Sequence, residues 1–142
     1  MLNHVGTQSI EIEQLILRRF KMEDAWQMFD NWAKDPENVK YVSWRAHKNI
    51  SETNKVLSDW VREYENNNCY RWCITLKSTG EIIGSIDVVD IIETRVTCEI
   101  GYVLSQKYWN KGFMTECLKS VIRYLFSKVN FNRIQLRHSL DN

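Results

Sequence analysis

The chain has 142 residues, 44% of them hydrophobic and 26% charged, which is the balance of a soluble globular protein with one core. Its 19 basic and 18 acidic residues give a formal net charge of +1, so duplex nucleic acid is not expected as the main partner. No run of about 18 apolar residues and no basic-then-apolar leader is present. We therefore expect a single cytoplasmic domain over residues 1–142, with no membrane span.

The elements of the first half follow from apolar spacing. Residues 15–19 predict a strand, and residues 22–33 predict a helix with apolar side chains on one face. Residues 35–49 contain Pro36 and have no period, which is typical of a loop. A second helix is predicted over residues 51–65, with Ser51 as its N-cap.

The second half predicts a sheet and a crossover. Strands are expected over residues 70–77 and 81–89, joined by a turn at Gly80, and over residues 96–104. The clearest helix starts at Gly112 or Met114 and reaches residue 127, and a last strand covers residues 132–137. This order predicts an α/β fold in which the last strand pairs in parallel with the strand at 96–104.

The cysteines do not predict a metal site. Cys69 and Cys73 are separated by three residues rather than two, and the other two cysteines form no second pair. The three histidines are scattered along the chain. We interpret the cysteines as reduced, small apolar residues and predict that no metal is bound.

The junction between the strand at 96–104 and the following helix is the segment that carries chemistry. A helix start has about four backbone N–H groups without intrahelical partners, and the helix dipole favours an anion there. Gly112 permits close approach of the backbone, and Lys111 adds a cation. The segment is neither a Walker loop nor a dinucleotide fingerprint. The residues alone therefore leave two readings open, a phosphate site and an ordinary structural turn.

Four segments carry a resemblance to a known family: IEIEQLILRRFKMEDAWQMF (10–29), YVSWRAHKNISET (41–53), GEIIGSIDVVD (80–90) and CEIGYVLSQKYWNKGFMTECLKSVIRYLF (98–126). The chain resembles the GNAT acetyltransferases, and most closely the RimJ/RimL-like subgroup that modifies protein N-terminal amines. The resemblance implies a mixed, mostly antiparallel sheet with helices on both faces. It also implies that the chain ends roughly 30 residues before a usual member does, so that the C-terminal helix and strand pair are missing.

The resemblance implies acetyl-CoA as the cosubstrate. In the family, pantetheine pairs with the backbone of the strand before the turn, here Val103 and Leu104. The positions of the family pattern Gln/Arg-x-x-Gly-x-Gly/Ala are occupied here by Trp109, Gly112 and Met114. Trp109 looks like the RimJ/RimL variation of the first position, and Met114 departs from the pattern at the last. The pyrophosphate would be held by the backbone of Trp109, Asn110, Lys111, Gly112, Phe113, Met114 and Thr115. Asn142 looks like the asparagine of the family's next segment and is included in the cofactor site.

Candidate catalytic and acceptor residues follow from the same resemblance. Glu99 is similar in position to a family glutamate that acts as the base, and Asp87 on the neighbouring strand shares the work or binds the amine. The alternative for both is an ordinary strand carboxylate. The residues that we expect to line the acceptor site are Trp44, His47 and Trp72. Their alternatives are core packing for the aromatic residues and simple exposure for the histidine.

The resulting hypothesis is an N-acetyltransferase that acts by direct transfer in a ternary complex. A protein N-terminus is the expected acceptor, followed by a polyamine or an aminoglycoside. The alternatives are a truncated homologue that binds acyl-CoA or a protein partner without turnover, and a small interaction domain without a cofactor. Because the last strand would expose an edge and apolar surface, a homodimer or strand-swapped assembly is also expected.

Overall fold

The computed structural model describes residues 1–39 and 44–137 of the protein. Six strands form one sheet in the order of the sequence. The strands are β1 (Ile10–Glu11), β2 (Leu15–Arg18), β3 (Arg71–Leu76), β4 (Ile82–Ile92), β5 (Thr97–Leu104) and β6 (Arg133–Leu136). Neighbouring strands are antiparallel except β5 and β6, which are parallel. The predicted mixed sheet and the parallel pairing of the last strand are both confirmed.

Three helices accompany the sheet: α1 (Ala25–Met28), α2 (Ile50–Glu63) and α3 (Phe113–Tyr124). A 3-10 turn precedes α1, a π-helical turn extends it to Ala33, and another π-helical turn extends α3 to Val129. The predicted helical segments are therefore confirmed. None of the helices in the described ranges is long and apolar enough to span a bilayer.

The prediction that Ser51 caps α2 is wrong, because the helix begins one residue earlier. Asn49 has extended backbone dihedral angles, and its side-chain oxygen accepts a hydrogen bond from the N–H of Glu52 at 3.1 Å. The Glu52 carboxylate in turn accepts from the N–H of Lys48 at 2.7 Å. Two N–H groups at the helix entrance are thus satisfied by a reciprocal arrangement of side chains.

The sheet has a core on each face. The core on the α3 side includes Ile100 and Leu104, and the core on the α1 and α2 side includes Val103. Successive residues of β5 therefore face opposite cores, as expected of a strand. Since both faces of β3 and β4 are covered, their central residues form nearly continuous apolar runs.

Several features of the sheet were not predicted. Strand β1 has only two residues, which is too short to produce a sequence pattern. Strand β4 continues to Ile92 and contains an irregularity in register between Val88 and Asp90, so that Val89 is an extra residue. The bulge lies directly beside the segment of β5 that is discussed below.

We predict that Gly84→Ala destabilises the sheet at the β4–β5 pair. A Cβ atom at Gly84 would lie 2.3 Å from the carbonyl oxygen of Val103 and 3.1 Å from the Cα of Leu104, so the backbone must move. The expected loss is about 1–3 kcal/mol in the free energy of unfolding, measured with urea. Gly101→Ala is the control, because its Cβ would contact only side-chain atoms, the nearest at 3.2 Å. Equal losses in the two variants would contradict the prediction.

Candidate functional site

Within the described residues, β5 and β6 pair only as far as Ile100, so no described strand pairs with the β6-side edge of residues 101–104 of β5. The two strands pair over four residues and end at Ile100 with Leu136. The N–H of Arg137 then donates to the carbonyl of Ile100 at 2.8 Å. Strand β5 continues to Leu104 against β4 on its other edge. Within the described residues the result is a fork in the sheet, with residues 101–104 as one arm.

The open edge of this fork carries the backbone groups of Tyr102 and Leu104. In a strand, the N–H and C=O of successive residues point to alternate edges. The backbone carbonyl of Ile100 is directed toward β6, because it accepts from Arg137. The backbone N–H of Ser105 is directed toward β4, because it donates to a β4 carbonyl at 2.7 Å. Val103 and Leu104 were predicted together as the backbone positions that pair with pantetheine. The backbone groups of Val103 are directed toward β4, whereas those of Leu104 lie on the open edge. Sequence reasoning missed Tyr102, although counting in twos from Ile100 along the strand would identify it.

The turn after β5 presents six consecutive backbone N–H groups that have no partner in the described part of the chain. Gln106–Tyr108 forms a 3-10 turn, and the N–H of Trp109 closes it at 3.1 Å. The next N–H that donates is that of Glu116, to the carbonyl of Gly112 at 3.2 Å. The N–H groups of residues 110–115 thus stand at the start of α3. There the helix dipole adds about half a positive charge.

Backbone conformation explains the glycine in this turn. Gly112 has φ 79° and Asn110 has φ 63°, both in the left-handed region. When residues with left-handed and right-handed helical backbone conformations alternate, their successive N–H groups line a concavity that binds anions. A Cβ atom at Gly112 would have no other atom within 4 Å, so the space above the turn is open. The glycine therefore serves the backbone conformation and leaves room for a ligand.

The turn is held in place before any ligand arrives. The indole N–H of Trp109 donates to the carbonyl of Leu104 at 2.8 Å, which connects the turn to the end of β5. The N–H of Gln106 donates to the side-chain oxygen of Asn38 at 2.5 Å, which connects it to the segment after α1. A receptor fixed in this way loses little conformational entropy on binding.

The seven turn residues predicted from the sequence fall into two groups. Phe113 and Met114 are half-buried and pack against the core on the α3 side. The exposed members are Trp109, Asn110, Lys111, Gly112 and Thr115. Asn142, the remaining residue predicted for the cofactor, lies outside the residues that the structure describes.

The two predicted catalytic carboxylates lie on the α2 side of the sheet, close to the fork. Glu99 accepts a hydrogen bond from the guanidinium of Arg137 at 3.1 Å. Asp87 is opposite Gly101 in the β4–β5 register, and its Oδ2 is 3.5 Å from Nε of Arg71. Burial raises the pKa of Asp87 above its usual value, and the nearby Arg71 limits that rise. Asp87 is thus the carboxylate whose environment favours holding a proton.

A polar cleft with a volume of about 540 Å³ opens beside these carboxylates. The end of α2, the start of β3, the bulge in β4 and the end of β6 all contribute to its wall. Its lining residues include Glu63, Asn66, Cys69, Arg71, Asp87 and Arg137. The cleft therefore adjoins the fork at Arg137, where the two strands separate. Within the described ranges, no group of three or more His, Cys, Asp or Glu side chains could hold a metal ion.

The three predicted acceptor residues do not line this cleft. His47 is 8% exposed, its Nδ1 lies 2.6 Å from the hydroxyl of Thr53, and its ring is 5.0 Å from that of Trp44. Trp72 is completely buried on the α3 side, where its ring packs 5.3 Å from that of Tyr124. Side chains alternate between the two faces along a strand, so Trp72, which directly follows Arg71 in β3, faces the side opposite to that of Arg71.

Comparisons with known proteins agree with this geometry. A family model described as an acetyltransferase (GNAT) domain matches residues 14–142. An N-acetyltransferase called p20 from Bacillus licheniformis is 31% identical over 138 residues, which cover 95% of this chain and 75% of the relative. The chain belongs to the GNAT acetyltransferase family. The members of this family are acyltransferases that depend on acetyl-CoA, and the present GNAT domain has the corresponding fold.

More distant relatives include enzymes with named acceptors. The ribosomal protein uS5-alanine N-acetyltransferase of Escherichia coli is 24% identical over 148 residues, covering 99% of this chain and 74% of the relative. A structure of RimL, a ribosomal L7/L12 α-N-protein acetyltransferase in complex with coenzyme A, aligns with a TM-score of 0.82 and 16% identity. That alignment covers 95% of this GNAT domain and 77% of RimL, and it shows a shared fold.

We predict that Gly112→Ala weakens binding of acetyl-CoA. An alanine in the left-handed region costs roughly 1–2 kcal/mol, so the turn either rearranges or binds with strain. The expected loss of affinity is on the order of 5- to 30-fold by titration calorimetry. Gly80→Ala is a matched control, because Gly80 has φ 78° and an equally open surrounding at the β3–β4 turn. If both variants bind acetyl-CoA as the wild type does, the conformation of the 110–115 turn is not what recognises it.

A second prediction concerns the stability of the GNAT domain in acid. Burial lowers the pKa of His47 below its ordinary value of about 6.5, so the unfolded chain binds this proton more tightly than the folded one. The contribution of neutral His47 is fully present above pH ~6.5 and is lost as the pH falls through the lower folded-state pKa. Urea unfolding at several pH values should therefore show a shallower acid loss for His47→Gln than for wild type. Identical pH slopes would rule out this contribution.

Proposed function

We propose that the protein transfers the acetyl group of acetyl-CoA to the α-amine of a protein N-terminus, by direct transfer in a ternary complex. The observation that carries the proposal is the continuity of two sets of backbone groups that have no partner among the described residues. The N–H and carbonyl of Tyr102 and the N–H of Leu104 on the edge of β5 lead directly into the N–H groups of residues 110–115. A molecule with amides at one end and a pyrophosphate further along matches this order of partners.

The edge of β5 and the 110–115 turn would bind different parts of the cosubstrate. The pantetheine amides would pair with the backbone of Tyr102 and Leu104, as another strand does. The pyrophosphate would accept hydrogen bonds from the N–H groups of residues 110–115, with the exposed Lys111 as a nearby cation. This orientation directs the thioester toward the head of the fork, next to Arg137.

The transfer itself requires a neutral amine close to the thioester. The amine nitrogen attacks the carbonyl carbon, so a C–N bond forms and the C–S bond breaks. The nitrogen loses one proton to a base, and the departing thiolate takes up one proton to become the free thiol of coenzyme A. The products are an acetamide and coenzyme A, with no change in oxidation state.

Asp87 is the base that we propose. Its raised pKa brings its proton affinity closer to that of the amine, which makes proton transfer easier. Glu99 already accepts from Arg137 at 3.1 Å, so we assign it the task of holding Arg137 at the head of the fork. This reverses the order of preference that the sequence suggested for the two carboxylates.

Two observations support an N-terminal α-amine over a polyamine. One relative is named as an N-acetyltransferase of an alanine of ribosomal protein uS5, and the structural neighbour RimL is named as an α-N-protein acetyltransferase. In addition, the cleft beside Asp87 contains Arg71 and Arg137 as well as carboxylates, so it does not have the strongly acidic character that a polycation would need.

Thiol release with a panel of amines and peptides tests the proposal. Asp87→Asn should lower kcat by roughly 100-fold or more, because general-base catalysis typically contributes that much. The wild-type rate should fall as the pH drops below the raised pKa of Asp87, and this dependence should be absent in Asp87→Asn. Glu99→Gln is the comparison and should have the smaller effect on kcat.

The outcomes separate the candidate functions. Binding of acetyl-CoA without release of thiol by any amine would instead identify a protein that binds acyl-CoA without turnover. Absence of acetyl-CoA binding would contradict both readings. A larger loss of kcat in Glu99→Gln than in Asp87→Asn would return the base to Glu99.

A further inference from the structure

Arg71 occupies an unusual position in the wall of the cleft. Its side chain is 13% exposed, and its Nε and Nη1 atoms are buried without a hydrogen-bond partner among the described residues. The nearest carboxylate oxygens belong to Asp87 and Glu63, each at 3.5 Å. Charge-assisted hydrogen bonds are about 2.7–2.9 Å long, so these two longer contacts do not satisfy the N–H groups of Arg71 as hydrogen-bond donors. Buried donors of this kind are rare and call for a partner.

The position of Arg71 is nevertheless fixed from several directions. Its backbone N–H donates to the hydroxyl of Thr7 at 3.0 Å, and its carbonyl accepts from the hydroxyl of Tyr64 at 3.0 Å. Its guanidinium lies 4.5 Å from the ring centroid of Trp60, a cation–π distance. The donors are therefore held in place although they have only the two long carboxylate contacts among the described residues, which suits a pre-organised recognition group.

The sheet register places this group in line with the fork. Arg71 is opposite Asp87, and Asp87 is opposite Gly101 on the open arm. Because neighbouring strands are about 4.8 Å apart, Arg71 and Gly101 are separated by roughly 10 Å across the sheet. An amine placed beside Asp87 would thus lie between the thioester at the fork and Arg71. The first carbonyl of a peptide, which follows its N-terminal amine, would then lie near Arg71.

We propose that Arg71 determines acceptor specificity by donating hydrogen bonds to the carbonyl oxygen adjacent to the acceptor amine. The inference rests on the proposed function, and it restricts the acceptor to amines that carry such a carbonyl. A simple alkylamine or polyamine offers no oxygen there, and binding it would leave the donors of Arg71 unsatisfied. Arg71 is thus a specificity residue that does not take part in proton transfer.

A pair of matched peptides tests this role. One is a five-residue peptide that begins with alanine, and the other has its first carbonyl reduced to a methylene group. Their binding in the presence of coenzyme A is measured by calorimetry, and their thiol release with acetyl-CoA is measured separately. Wild type should prefer the intact peptide by about 10- to 100-fold, the usual range for a hydrogen bond to a charged donor.

The variants isolate the guanidinium. Arg71→Gln should bind both peptides about equally, and Arg71→Lys should recover only part of the preference because it lacks the forked donors. The ratio between the peptides is compared across variants, so the different basicity of the two amines cancels. Arg62→Gln is the control, since Arg62 is an exposed residue of α2 whose partner is Asp59 at 3.1 Å. Thermal unfolding and affinity for acetyl-CoA verify that each variant is folded.

Each result decides the matter. A binding preference of wild type that disappears in Arg71→Gln supports the proposal. If this preference is observed but no peptide is acetylated, the proposed function fails while the recognition role of Arg71 stands. Equal binding of the two peptides by wild type overturns the proposal. So does an unchanged preference in a folded Arg71→Gln variant, and so does the absence of binding of either peptide to wild type.

Discussion

Backbone hydrogen-bonding groups left without partners are the constraint on which the site depends. A fold normally pairs nearly all such groups, because an unsatisfied one costs free energy when it is removed from water. Among the described residues they are concentrated on one edge of β5 and at the start of α3, in adjoining stretches of the chain. The edge of β5 is left without a strand partner because the described part of β6 pairs with it only as far as Ile100. The N–H groups at the start of α3 are free because the first turn of a helix has no intrahelical acceptors for them.

The surrounding side chains hold this arrangement rather than form it. The Trp109 indole connects the turn to the last carbonyl of β5, and Asn38 connects it to the segment after α1. Gly84 lets β4 approach β5 so closely that a single methyl group would collide with its backbone. The proposed recognition by backbone groups would tolerate Met114 in place of the small residue of the family pattern, since its amide is unchanged.

The architecture could be predicted from the sequence because its signals are local and periodic. Apolar spacing gave the helices, and the strand–helix–strand order gave the parallel pairing of β5 with β6. The N-cap of α2 was misassigned because Asn49 and Ser51 are both good caps two residues apart. Strand β1 and the bulge at Val89 depend on pairing partners that are distant in sequence, which no local pattern encodes. The expectation of a homodimer or strand-swapped assembly stays a prediction.

The site was harder to predict, since its residues meet only in the folded sheet. The resemblance pointed to the turn and to both carboxylates, and it favoured Glu99 over Asp87 as the base, whereas the proposal here assigns that role to Asp87. That choice depends on burial and on arginines from β3 and the end of β6. Arg71 has no motif, and its proposed importance follows from two buried nitrogen atoms that have no hydrogen-bond partner among the described residues. Trp72 was a candidate for the acceptor site because aromatic residues serve both cores and binding sites.

Amide hydrogen exchange, followed residue by residue by NMR with and without acetyl-CoA, tests the central claim most directly. The account predicts that the N–H groups of residues 110–115, together with those on the open edge of β5, become protected when acetyl-CoA is added. Amides on the far edge of β5, which already pair with β4, should change little. Binding of acetyl-CoA with unchanged exchange of residues 110–115 would contradict the account, because the cosubstrate would then be held by other groups.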